Sequence, residues 1–181
     1  MSSLSPVEAT VFSPAYAGSV RYYSAMVAAD NTIVIDNGVP AQSIAWSVNH
    51  CRISGANGVQ VLTIPMIKPS KGRHTPLRDL MISEHGDWRR IHWGALFSAY
   101  GKSPFFEYIA YELEQLYHKG NQKWIVDFDM ELHELIVDFI DLQIKHQTLD
   151  FGVTNHQNYC DLRQKVGEKS CDSLPLTNVE Y

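Results

Sequence analysis

Three stretches of this 181-residue chain carry side chains able to do chemistry. The first is Ser83-Glu84-His85-Gly86-Asp87-Trp88-Arg89-Arg90-Ile91-His92-Trp93. An imidazole titrates near neutrality, so His92 is a candidate general acid or base. Glu84, His85, Asp87 and His92 could also gather as a metal cluster. No compact ligand pair appears among them, and no metal is expected. The plainer reading is a capped helix with a surface His85 and a hydrogen-bonded His92 beside aromatics.

The second stretch is basic. Lys68, Lys71, Arg73, Arg78, Arg89 and Arg90 stand against Asp79, Glu84 and Asp87. Arginine forks and a helix N-terminus suit a phosphate or carboxylate, so an anion site is one reading, with Arg89 among its contacts. A solvated loop and helix face is the other.

The third is Asn49-His50-Cys51-Arg52. Strand alternation puts Asn49 and Cys51 on one face, His50 and Arg52 on the other. Adjacent strand residues point apart, so a Cys–His nucleophile pair is disfavoured and Cys51 reads as packed. Arg52 is isolated in a half of the chain poor in bases, which suits it to one carboxylate or substrate anion. The many aromatics, Tyr16, Tyr22 and Tyr23 among them, could stack on a sugar but more often build a core. No Walker loop, GxGxxG, HExxH or GxSxG occurs, and no cofactor is expected.

The elements that must position these groups follow from periodicity. Thr10–Ser13 and Thr32–Ile35 read as strands around a helix carrying Tyr16, Val20, Tyr23 and Val27, a βαβ-like start stopped at Asp30-Asn31. Asn57-Gly58 predicts a type I′ turn in an antiparallel hairpin spanning about 46–64. Residues 66–77 form a long loop, and Asp79–Ser83 returns as a strand. Asp87 caps a helix from Trp88 to Tyr100, apolar nearly all round and so central. Ser103-Pro104 starts the next, with Phe105, Ile109, Leu113 and Leu116 buried. A last helix carries Leu132, Leu135, Ile136, Phe139 and Ile140.

Composition bounds the class. Hydrophobic residues make up 45% and charged residues 19%, which is globular, and the net charge of −5 argues against nucleic-acid binding. No apolar run is long enough to span a membrane, and the N-terminus does not resemble a secretory signal. Three cysteines, Cys51, Cys160 and Cys171, at no metal-ligand spacing suit a reducing cytoplasm. The fold expectation is therefore α/β: one domain over 1–148, a mixed sheet with the hairpin packed against three or four helices, and a C-terminal extension over 149–181.

Read together, several motifs carry a resemblance: Ser13-Pro14-Ala15-Tyr16 with Gly18 and Tyr22-Tyr23; Asn49-His50-Cys51-Arg52-Ile53; Asn57-Gly58 before Leu62-Thr63-Ile64-Pro65; Ile82-Ser83 with Trp88 and His92-Trp93; and Ala99-Tyr100-Gly101-Lys102-Ser103-Pro104-Phe105-Phe106-Glu107-Tyr108. Over about residues 10–145 the chain resembles the WbqC-like family of bacterial proteins, in the form found in Bacteroides-type bacteria. The resemblance implies a role in surface-polysaccharide or modified-sugar biosynthesis, as a transferase on an activated or amino sugar. It implies a small anionic or sugar substrate, and a homo-oligomer is compatible with it. The resemblance supplies no assigned nucleophile or base; the motifs that carry it suggest a site near Tyr16, Trp88, Asn49, Arg52 and the His92 helix, where Arg52 would bind an anion and the titratable His92 and His50 are the catalytic candidates.

Two departures stand out. Family members carry a Lys and an Asn-Arg pair in the first hairpin strand; here Asn49-His50 stands there, with no Lys or Arg between Asp36 and Arg52. Leu174–Tyr181 resembles the start of a final segment that normally continues, which implies a shortened form. The competing expectation is a non-catalytic binding or assembly protein. An enzyme gathers Asn49, Arg52 and His92 round one pocket; a scaffold leaves them apart beside an apolar patch.

Overall fold

A computed structural model describes residues 9–29, 32–41, 44, 47–69, 72–144, 146–149 and 159–163. The expected hairpin start at Trp46, the helix stop at Asp30-Asn31, Lys71, Cys171 and the terminal segment 174–181 lie outside them.

The predicted strand–helix–strand opening forms. β1 (Ala9–Phe12), α1 (Val20–Ala28) and β2 (Thr32–Asp36) follow in order, and β1 and β2 pair in parallel from Ala9↔Thr32 to Phe12↔Ile35. Runs such as Ile33-Val34-Ile35 are buried on both faces, as parallel strands are when layers cover each side. Phe12, Ile33 and Ile35 pack on Tyr22, Tyr23, Ala25 and Met26 of α1. The stripe expected on α1 is rotated: Val20 and Val27 are exposed.

The hairpin is β3 (His50–Gly55) and β4 (Gly58–Thr63), registered from His50↔Thr63 to Gly55↔Gly58. It stands as its own two-stranded sheet. Its turn is in the expected place but of another type. Only Gly58 takes a positive φ, +104°, and Asn57 does not. A type I′ turn needs two such residues; one glycine after a two-residue turn is the bulged three-residue loop. Asp79–Ser83 forms only isolated bridges, Met66↔Ile82 and Met81↔Trp124.

α2 (Trp88–Tyr100), α3 (Glu107–Lys119) and α4 (Ile125–Phe139) complete a second core with the hairpin. α2 is not central: Trp88 and His92 are buried, while Ile91 and Phe97 are about half exposed. Trp93, Ala95, Leu96 and Ala99 pack partly buried against the same core, so one side of the helix is covered and the side of Ile91 and Phe97 is open. Asp87 does not cap α2 with its side chain; it adopts φ +50° and pairs with Arg90 instead. Phe106, not Phe105, is buried ahead of α3, because the chain turns through Ser103–Phe106 before the helix begins. α4 buries Phe128, Asp129, Leu132, His133 and Val137 and leaves Phe139 and Ile140 partly out. Two polar residues thus lie on its inner face, and α4 touches both cores.

After α4 come β5 (His146–Leu149) and β6 (Tyr159–Asp161). β5 pairs in parallel outside β2, and β6 in parallel on the far side of β1, giving the order β5-β2-β1-β6. The expected extension beyond residue 149 therefore supplies a strand of the sheet. Cys51 is a buried free thiol. Among the described residues no helix is long and apolar enough to cross a membrane.

Candidate functional site

The hairpin residues face outward. His50 is exposed and its Nδ1 lies 2.9 Å from Asn49 Oδ1. Asn49 is half-buried, and its carbonyl accepts from the Ile64 amide at 2.7 Å. Arg52 is exposed opposite Val61, while Cys51 points into the core, where burial pushes its thiol up to about 11. Alternation along β3 fixes this split.

Tyr16, His92 and Trp88 do come together. The loop after β1 is tied to the start of the hairpin by the Tyr16 amide, which donates to the Ser47 carbonyl at 2.9 Å. The Tyr16 hydroxyl lies 2.8 Å from His92 Nδ1 and 2.7 Å from the Tyr117 hydroxyl. Burial pushes His92 down to about 4, opposed by a hydrogen bond to the Thr63 backbone. That bond leaves Nδ1 as the acceptor, so Tyr16 donates to His92 and receives from Tyr117. Trp88 packs edge-on against His92 at 5.2 Å and against Phe128 at 5.3 Å. His92 is only 3% exposed, and in this arrangement it is a neutral acceptor that fixes Tyr16.

Arg89 lies beside this group but is fully occupied. Its guanidinium sits 4.6 Å from the Trp88 ring centre and donates to Glu84, Gln122 and the Leu116 carbonyl. Arg90 pairs with Asp87, and Arg78 lies 4.0 Å from Asp79. Three of the bases that were expected to share an anion, Arg78, Arg89 and Arg90, are thus each paired with a carboxylate of the same stretch.

A second polar group, which the sequence did not single out, lies at the carboxyl ends of the parallel strands. Continuing the registers by one or two residues sets Ser13 level with Asp36 on one side and Arg163 on the other. Asp36 is 0% exposed; its Oδ1 accepts from the Gly38 amide at 2.8 Å and its Oδ2 from Arg163 Nη1. The ion pair therefore spans the end of β1. Arg163 also donates to Asp161 through Nε at 2.9 Å and Nη2 at 2.6 Å. Those bonds to Asp161 hold the guanidinium above its usual range. Burial disfavours the ionised Asp161, but Arg163 outweighs it and holds the carboxyl below its usual range. Within this row the Ser13 Oγ and Asn37 Oδ1 are buried without a protein partner. The triad carries two carboxylates to one guanidinium, and Asp161 is partly open to solvent. It can orient hydroxyls or an amine in a water-poor setting. Asp36 had one sequence signal, an acid ending a β-branched run. Arg163 had none, since no period surrounds it.

An open parallel sheet whose strand order reverses at its first strand, beside a separate hairpin and four helices, defines an α/β domain. The chain belongs to the WbqC-like protein family, whose model matches residues 13–175. That span takes in Ser13, Asp36, Tyr16, His92, Asp161 and Arg163 alike. No curated protein and no solved structure matches the chain.

Proposed function

We propose that this chain is a transferase acting on an activated or amino sugar in surface-polysaccharide biosynthesis, and that it holds the sugar at the carboxyl ends of β1, β2 and β6. Membership of the WbqC-like family supports the pathway class. The observation that carries the location is the reversal of strand order at β1. Open α/β sheets take ligands in the crevice at such a point. Here it holds the Asp36–Arg163–Asp161 triad and the unpartnered Ser13 hydroxyl. Asp161 is the contact for sugar hydroxyls or an amine, Arg163 fixes its orientation, and Tyr16 and His92 brace the loop that follows Ser13. A thermal-shift panel of nucleoside diphosphate sugars, with and without amino groups, tests the reading. At least one member should raise the melting temperature in a saturable way. A panel with no shift, joined to calorimetry with no heat, ends it.

One observation favours the second reading, a non-catalytic binding or assembly protein. Arg52 faces solvent and Asn49 is only half-buried while His92 is buried, and Val59 and Val61 stand exposed on the same face of β4. Under that reading the sugars do not bind, and Val61→Lys weakens self-association in sedimentation.

A further inference from the structure

The middle of the basic stretch returns to the sheet edge. Residues 75–78 run beside residues 37–41, the segment that leaves β2. The Ala41 amide donates to the Thr75 carbonyl at 3.3 Å, the Leu77 amide to the Val39 carbonyl at 3.0 Å, and the Arg78 amide to the Asn37 carbonyl at 3.0 Å. Pro40 and Pro76 form a bridge between the two segments. A short helical turn over Leu77–Asp79 decides which side chains face out. Leu77 and Leu80 are buried and anchor it in the core, so Arg78 and Asp79 between them stand exposed on the rim. Asn37 follows Asp36 directly. The backbone thus sets polar groups in a row along one edge: Arg78 beside Asn37, then Asp36, Arg163 and Asp161. β1 separates β2 from β6, so the row spans two strand spacings, roughly 10 Å.

The two ends of the row are opposite in charge. At the β6 end two carboxylates meet one guanidinium, and Asp161 is partly open to solvent. At the β2 end stands Arg78, whose Nε lies 4.0 Å from Asp79, with side chains 39% and 49% exposed. An ion pair that loose and that open to water contributes little and gives way to a stronger partner. Arginine forks hold phosphate through two parallel bonds, which the single approach to Asp79 does not provide. Between the ends, the Asn37 Oδ1 and the Ser13 Oγ are buried without a protein partner, and Ser13 is 0% exposed. We propose that Arg78 is the anion contact of this site and holds the phosphate of a sugar whose hydroxyls or amine lie on Asp161. The ligand is then a phosphate-activated sugar and not a neutral one. The inference rests on the sugar-binding reading and adds to it the group through which the sugar is activated. Arg89 and Arg90 take no part, since Glu84 with Gln122, and Asp87, hold them on α2.

Calorimetry on the full chain tests it with nucleoside diphosphate sugars, the matching sugar 1-phosphates, the matching free sugars and inorganic pyrophosphate. The diphosphate sugar that binds should do so at least about tenfold more tightly than its free sugar, and added salt should weaken it. Arg78→Gln should remove that advantage and most of the salt dependence. Arg90→Gln, at a base held by Asp87, should leave both in place. Pyrophosphate should compete with the sugar in the unaltered protein, so the result does not depend on how a variant folds. A 1-phosphate that binds as tightly as the diphosphate form supports the proposal with one phosphate as the contact. Equal binding by Arg78→Gln, no advantage over the free sugar, or no competition by pyrophosphate overturns the proposal and leaves the sugar-binding reading standing. No binding by any sugar removes both.

Discussion

His92, His133 and Asp129 show how burial decides what a titratable side chain can do. Each imidazole is held down to about 4 in the folded state, from 6.5 when unfolded, with burial as the main cause. Between pH 6.5 and 4 the unfolded chain therefore binds protons that the folded chain refuses, and stability is lost as pH falls through that window. Asp129 works the other way: burial raises its carboxyl well above 3.8, so stability is lost as pH rises above 3.8. Two histidines oppose a single acid, so between pH 6.5 and 4 the net effect is a loss of stability as pH falls. Unfolding free energy should therefore fall across that window, measured by urea denaturation across pH. Asp129→Asn should steepen the loss on the acid side; an unchanged profile would mean the carboxyl is not buried as described. Tyr16→Phe should cost about 1–3 kcal/mol in the same assay, because it strands both the Tyr117 hydroxyl and His92 Nδ1. Tyr16 and His92 were legible as capable residues, but their contact spans 76 positions and no local pattern announces it. Asp129 and His133 were hidden because their helix was read by its apolar residues: Leu132, Leu135 and Ile136 do pack on the cores, but the two polar residues beside them share that inner face.

At the scale of elements, the loop between β1 and α1 sets the site. Gly18 in it has no room for a side chain: a Cβ there would lie 2.5 Å from the Tyr22 ring, which is wholly buried and donates to the Ser13 carbonyl. Gly18→Ala should therefore cost about 1–3 kcal/mol, seen as a lower urea midpoint at unchanged slope. An unaffected midpoint would show that Tyr22 can yield. The βαβ opening and the hairpin were readable because each depends on neighbours in sequence: β-branched runs buried on both faces, and an Asn-Gly pair between strands. The turn was misread in type because the glycine alone supplies the positive φ. β6 was unreadable. It has three residues, and it forms only because Ala9 finds Tyr159 across the whole length of the chain.

For the whole molecule, net charge proved a poor guide and its local pairing a good one. In the basic stretch over 68–90, Arg78, Arg89 and Arg90 are each paired locally, with Asp79, Glu84 and Asp87. The charge that reaches the interior is at the sheet edge, far apart in sequence: Arg163 and Asp36 are separated by 127 positions. Arg163→Met should cost about 3–5 kcal/mol in unfolding free energy, since it removes the guanidinium from a buried carboxylate that keeps only the Gly38 amide. Asp161 is the better probe of function because it is partly exposed and its loss leaves the Asp36–Arg163 pair in place. Calorimetric titration with the nucleoside diphosphate sugar that gives the largest thermal shift is the most direct test. Binding at the sheet edge predicts that Asp161→Asn weakens affinity about tenfold or more while Arg52→Ala leaves it unchanged. Affinity untouched by Asp161→Asn but abolished by Arg52→Ala would place the sugar on the hairpin and contradict the account.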